Sequence, residues 1–174
     1  LAPIEYYGIS DPTDFTTVPW GRSSAEKEAV NLIVLKDERR VRVVANAVEN
    51  YVSDVNEMRA LGFCVSVEHA KMMAASFSSQ GISSLVAHGE MADEDRRSIR
   101  NKLEVGEIKV IFSCDLYNEG IDLPYVNTVL LLRPTDSPVV FAQQIGRGLR
   151  LWPNKNSCLI LDFIGQYGNR SEER

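Results

Sequence analysis

From Leu61 onward, short apolar runs alternate with amphipathic segments: Leu61–Val65, Leu85–His88, Ile108–Phe112, Val126–Leu132 and Cys158–Phe163. Runs of this length bounded by turn residues predict strands, and their alternation with helical segments predicts a parallel sheet covered on both faces. Val129-Leu130-Leu131-Leu132 is continuous rather than alternating, which predicts a central strand buried on both sides. Upstream, Ala25 to about Leu35 and Arg39 to about Arg59 carry apolar residues at helical spacing, as in Val41, Val44, Ala45, Val48, Val52 and Val55. Two helices are expected there. Ser66 stands before Val67–Phe77, where its hydroxyl can cap a helix, and Gly81 is placed to end it. Residues 1–24, with Pro3, Pro12, Pro19 and the turn-like Ser10-Asp11-Pro12, read as an irregular lead-in or linker.

Composition narrows this picture without redrawing it. A chain of 174 residues with 44% hydrophobic content can bury one ordinary core. No apolar run is long enough to span a bilayer, and Leu1-Ala2-Pro3 lacks the regions of a signal peptide, so a soluble, cytoplasmic protein is expected. The net charge of -5 argues against binding nucleic acid through the overall field, so any such contact must be local. Cys64, Cys114 and Cys158 form an odd set in apolar stretches, which reads as buried free thiols. His69 and His88 have no metal-ligand spacing with them, and no metal site is expected.

Candidate chemistry sits in two polar stretches. In Gln143-Gln144-Ile145-Gly146-Arg147-Gly148-Leu149-Arg150, helical geometry puts Gln143, Arg147 and Arg150 within an arc of roughly 60°. Phe141, Ile145 and Leu149 project from the opposite side, and Ser137-Pro138 is placed to open the helix. A guanidinium's planar fork suits a phosphoryl group and stays charged at every relevant pH. Gly146 and Gly148 each cost about 1 kcal/mol in a helix relative to alanine, which suggests a closely approached backbone or a helix end. The second stretch, Ser113 to Pro124, follows an apolar run, where open parallel sheets bind their ligands. In it Ser113 can bond a backbone phosphate, Gly120 permits a turn, and Asp122 can accept from a ribose hydroxyl or an arginine.

Taken together and in order, these stretches resemble the second RecA-like domain of superfamily 2 helicases and translocases. Ser113–Pro124 is similar to motif V, Gln143–Arg150 to motif VI (QxxGRxxR), His88-Gly89 with Arg96 to the HG-plus-arginine block, and Gly62–Ser66 to motif IV. The closest likeness is to bacterial DEAD/DEAH-type proteins related to restriction-enzyme motor subunits. Glu119 departs from the arginine that many relatives carry before Gly-x-Asp, so no contact is carried over to that position.

The resemblance implies a three-layer RecA-like α/β fold of the P-loop NTPase type. It also implies a division into a lead-in at 1–24, a helical segment at 25–60 joining two motor domains, and a C-terminal motor domain at 61–174. Arg147, Arg150 and Gln143 would act on the transferred phosphoryl group, with Gly120 and Asp122 contacting nucleotide. Ser66, Gly89, Arg96 and Ser113 would hold one nucleic-acid strand, DNA by the subfamily resemblance.

No GxxxxGK[ST] cradle occurs, so ATP and Mg2+ would be bound mainly by an N-terminal RecA-like domain of the same protein, and this fragment alone is expected to be inactive. Asp93-Glu94-Asp95 imitates a DExD motif, but it follows polar Gly89-Glu90 and is expected to open a helix. The competing reading is a non-catalytic RecA-like module that binds a protein partner, which the acidic composition suits.

Overall fold

The computed structural model describes residues 2–18, 24–114, 123–133, 146 and 150–166. Its elements run β1 (Ile4–Asp14), α1 (Ser24–Lys36), α2 (Glu38–Tyr51), β2 (Ala60–Phe63), α3 (Val67–Ser79), β3 (Ser84–His88), α4 (Asp93–Val105), β4 (Val110–Cys114), β5 (Thr128–Leu131) and β6 (Cys158–Gln166). The strands form one sheet in the order β1-β6-β5-β2-β4-β3. Every pairing is parallel.

Alternate side chains of each strand enter opposite layers, as the two-residue period requires. Val110, Phe112, Leu130 and Leu161 face Val44 and Val48 of α2 and Met73 and Phe77 of α3. On the other side Leu61, Ile111, Val129 and Ile160 meet Ile99 and Leu103 of α4. This is the expected three-layer α/β sandwich, with β5 and β2 at its centre and buried throughout. The Phe112 ring of the neighbouring strand packs over Gly62, where a Cβ would lie 2.4 Å from it.

Helix boundaries follow local chemistry. Ser66 caps α3 by accepting from His69 N at 3.0 Å. Beyond its other end Gly81 takes φ 85°, and Ile82 N reaches back to Phe77 O at 3.0 Å, the closure that a left-handed residue permits. The acidic triplet Asp93-Glu94-Asp95 does form the first turn of α4, where carboxylates favour the helix dipole.

Two expectations need correction. Residues 1–24 are not wholly irregular, because Ile4–Asp14 form β1, which pairs with β6 from Ile4↔Cys158 onward. The prolines misled here. Pro3 stands just before the strand, and Pro12 falls at the register shift between Ser10 and Asp14, two places where a missing N–H is tolerated. The second helix ends at Tyr51, not near Arg59, since Val52 is extended at the C-cap and Asn56 N bonds the Asp54 carboxylate in a turn. Val52 and Val55 still pack against the core, so their apolar spacing reflects burial without continuing helix.

Candidate functional site

The parallel register brings several sequence-selected residues to one edge. Phe63 pairs with both Ser113 and Leu131, and Ala87 also pairs with Ser113, so the C-terminal ends of β2, β3, β4 and β5 are level. From that edge β2 leads through α3 toward β3 on one side, while β5 leads to β6 on the other. The crevice between the ends of β2 and β5 is therefore the topological switch point, the place where open α/β sheets bind ligands.

Backbone bonds fix the rim. Cys64 N donates to Ser113 O at 2.8 Å and Leu132 N to Phe63 O at 3.0 Å, extending both ladders one residue past the strands. Val65 N then donates to His69 Nδ1 at 3.1 Å, and the Cys114 thiol reaches Val65 O at 3.4 Å. Ser66 follows directly, half-buried, with its oxygen engaged as the α3 cap.

Gly89 lies exposed in the turn after β3, and a Cβ there would meet nothing within 4 Å. The fold itself does not demand glycine at that position. Arg96, on the first turn of α4, folds back over it: Nη1 donates to Gly89 O at 3.2 Å and Nη2 pairs with Asp93. Gly89 and Arg96 are thus brought together, and the guanidinium is already engaged by a neighbouring carboxylate. Ser113 is fully buried in β4, and its hydroxyl has no hydrogen-bond partner among the described residues. Its side chain faces the interior of the rim and not an open surface.

Of the phosphate-directed group, Arg150 is exposed and pairs with no carboxylate among the described residues. Gly146 is helical and buried, with its Cα side open enough that a Cβ would stand 3.7 Å from Ile4 of β1. That is ordinary van der Waals spacing, so packing on β1 does not by itself require the glycine. Gln143, Arg147, Gly120 and Asp122 lie outside the described residues. Among the described residues no three His, Cys, Asp or Glu side chains gather as a metal site.

Sequence reasoning missed the cation beneath the rim. Arg40 of α2 is 1% exposed; its Nη2 donates to Leu132 O at the end of β5, and its Nε lies 2.9 Å from Asp11 Oδ2 of β1. That ion pair is buried at both ends. Asp11 Oδ1 accepts from Thr13 N at 2.9 Å, and the guanidinium stands over the Phe15 ring at 5.7 Å. The available signal was positional: Arg40, Val44 and Ala47 share one helical face, so a charge occupies the buried stripe of α2.

His69 senses this cation. Burial, reinforced by the Arg40 charge, lowers its pKa to about 3, and its Nδ1 is committed as the acceptor for Val65 N. The folded chain therefore holds the imidazole neutral with its proton on Nε2. An unfolded histidine takes up a proton near its ordinary value of about 6.5. Stability should then be complete above about pH 6.5 and fall as pH drops toward 3, by about 1.4 kcal/mol per pH unit at the steepest. Urea midpoints measured from pH 7 to pH 4 should decline more steeply for the natural chain than for His69→Gln. Equal slopes would remove His69 as the cause.

Comparison with known proteins agrees with this architecture. The family model for the helicase conserved C-terminal domain matches residues 42–151. The chain is 37% identical over 103 residues to the Saccharomyces cerevisiae protein named "Putative ATP-dependent helicase IRC3", covering 59% of this chain and 15% of that protein. It is 30% identical over 142 residues to the type I restriction enzyme EcoKI endonuclease subunit of Escherichia coli, covering 72% and 12%. The chain thus spans a small part of the length of these relatives. Among solved structures, the E. coli DEAD-box protein SrmB, bound to regulator of ribonuclease activity A, superposes with a TM-score of 0.61 at 17% identity, covering 95% of this chain and 78% of that one. That likeness is one of fold. No helix among the described residues is long and apolar enough to cross a membrane.

Proposed function

The chain belongs to the helicase conserved C-terminal domain family, and on that premise we propose that it is the second motor domain of an ATP-dependent DNA helicase or translocase. It completes an ATP site whose phosphates and Mg2+ are held mainly by a first RecA-like domain of the same protein. Arg147 and Arg150 neutralise charge developing on the transferred phosphoryl group, Gln143 positions the attacking water or the γ-phosphate, and Gly120 with Asp122 contacts the nucleotide. The observation that carries this reading is the exposure of Arg150, with no carboxylate among the described residues to consume its charge.

One nucleic-acid strand runs along the level C-terminal edge, over Ser66, Gly89, Arg96 and Ser113. Gly89 supports this assignment, since its backbone is open to approach and the fold gives no other reason for a glycine. Arg96 must exchange its Asp93 partner for a phosphate, and Ser113 acts from beneath the rim. The choice of DNA draws on the likeness to the restriction-enzyme subunit. Phosphate contacts of this kind position a strand without reading its sequence. Closure and reopening of two domains around ATP then moves the strand, a hinge motion that needs both halves.

The test is ATP turnover by the full-length protein with Mg2+, with single-stranded DNA, single-stranded RNA or neither. DNA should stimulate turnover, the stimulation should be sequence-tolerant, and it should weaken as salt rises. The 174-residue chain alone should be silent. Stimulation by RNA alone would overturn the DNA assignment. No stimulation by either, with no basal turnover, would favour the non-catalytic module.

A further inference from the structure

The ammonium of Lys155 lies where the two motif-bearing segments end. Its Nζ donates to the carbonyl of Pro124 at 2.9 Å and to the carbonyl of Arg150 at 3.1 Å. Pro124 closes the segment Ser113–Pro124 and stands two residues after Asp122, while Arg150 closes the segment Gln143–Arg150. One cation thus joins the backbones of two stretches that are remote in sequence.

The lysine reaches this position from a tight turn. Lys155 N donates to Trp152 O at 3.0 Å, Pro153 supplies the fixed φ of the second turn residue, and Asn154 has φ 64°. A left-handed third residue after proline is the signature of a type II turn, and asparagine tolerates it better than most side chains. The chain then enters β6, where Cys158 N bonds Pro3 O at 2.8 Å, so the base of the lysine is fixed to the sheet. Next to the ammonium, the Tyr125 and Trp152 rings meet edge to face at 6.0 Å and 71°. Tyr125 Oη also donates to Arg100 O of α4 at 3.2 Å. The same two segment ends are therefore joined twice, once by a cation and once by aromatic contact.

Lys155 is half-buried, and this burial holds its pKa below the usual lysine range. A cation partly withdrawn from water gains more from two carbonyl acceptors than an exposed one does. The side chain belongs to none of the three apolar clusters, so the core does not depend on it.

From this geometry we infer that Lys155 is a positioning residue, which holds Pro124 and Arg150 at a fixed spacing, the ends of the two sequence stretches to which the proposed nucleotide contacts Gly120, Asp122, Arg147 and Arg150 belong. It works through the two backbones. The inference rests on the reading of those four residues as nucleotide contacts. Its value to catalysis is geometric, because phosphoryl transfer depends on alignment, and a displacement on the order of 1 Å can cost about a hundredfold in rate.

The test uses the full-length protein and three variants. Lys155→Met keeps an unbranched stem and loses the donors; it should lower kcat for ATP about ten- to a hundredfold, with KM within about twofold and Tm within about 3 °C. Lys155→Arg, which retains donors for both carbonyls, should recover most of the lost kcat. Arg147→Ala serves as the reference for the site itself. Full turnover in Lys155→Met alongside an inactive Arg147→Ala overturns the positioning role and leaves the site reading standing. Full turnover in both variants overturns the site reading, and the positioning role with it. A loss of kcat with a Tm drop beyond about 8 °C, or with no recovery in Lys155→Arg, assigns the lysine to folding and also overturns the inference. So does a rise in KM at unchanged kcat.

Discussion

In the full-length protein, Arg147→Ala and Arg150→Ala are each expected to lower the maximal rate of ATP hydrolysis by about 10³- to 10⁵-fold, the range that an arginine finger contributes to phosphoryl transfer. The reason is electrostatic. Charge spreads over the equatorial oxygens of the transferred group, and a guanidinium fixed beside them stabilises it with little reorganisation. The effect should appear in kcat more than in KM, because the contact strengthens as the transition state is reached.

Arg150 offers the cleaner experiment. Its side chain is exposed, and its contact with Lys155 is made by the backbone carbonyl, so alanine keeps that bond and removes only the guanidinium. Folding should therefore be nearly unaffected, as for most surface substitutions. Combining both changes should cost less than the product of the single effects if, as proposed, the two cations act on one phosphoryl group. Single-turnover and steady-state rates with saturating Mg2+ and ATP decide the matter. Two variants that hydrolyse ATP at the natural rate would remove both arginines from the chemistry.

Most of the layered fold was legible because it depends on period and run length. Continuous apolar runs gave β2 and β5, the two central strands, and the helix stops at Gly81 and starts at Ser66 rested on single residues whose local chemistry has few alternatives. The N-terminal strand was hidden. An edge strand with exposed Ile4, Tyr6 and Tyr7 shows no inward-outward alternation, and its prolines sit where an edge tolerates them. Candidate site residues were legible only as types and spacings. Sequence selected Ser66, Gly89 and Ser113, but the level register that gathers them arises from pairings across the sheet. Lys155 gave no signal at all, because its two acceptors are backbone carbonyls that any residues could present.

Arg40 and Asp11 are expected to give the largest effect on stability. Arg40→Met should destabilise the chain by about 3–5 kcal/mol, since it leaves the Asp11 carboxylate buried without its cation. Asp11→Asn should cost a similar amount for the opposite reason. The double variant removes both charges together, and a buried pair replaced as a unit is often close to neutral. It should therefore be more stable than Arg40→Met alone, leaving a coupling of about 2–3 kcal/mol between the two positions. Urea unfolding of the four chains provides the cycle. Additive losses would mean that the ion pair contributes little beyond its packing.

The location of this pair makes the result bear on function as well. The guanidinium bonds the carbonyl of Leu132, one residue beyond β5. Through Asp11 it also ties that point to β1, and through α2 to the core beneath the rim. In the double variant the charges are balanced but this tie is gone. If stability returns while ATP turnover in the full-length protein stays low, the buried cation serves the alignment of the rim in addition to folding. If both return together, its role ends with the stability of the sheet's centre.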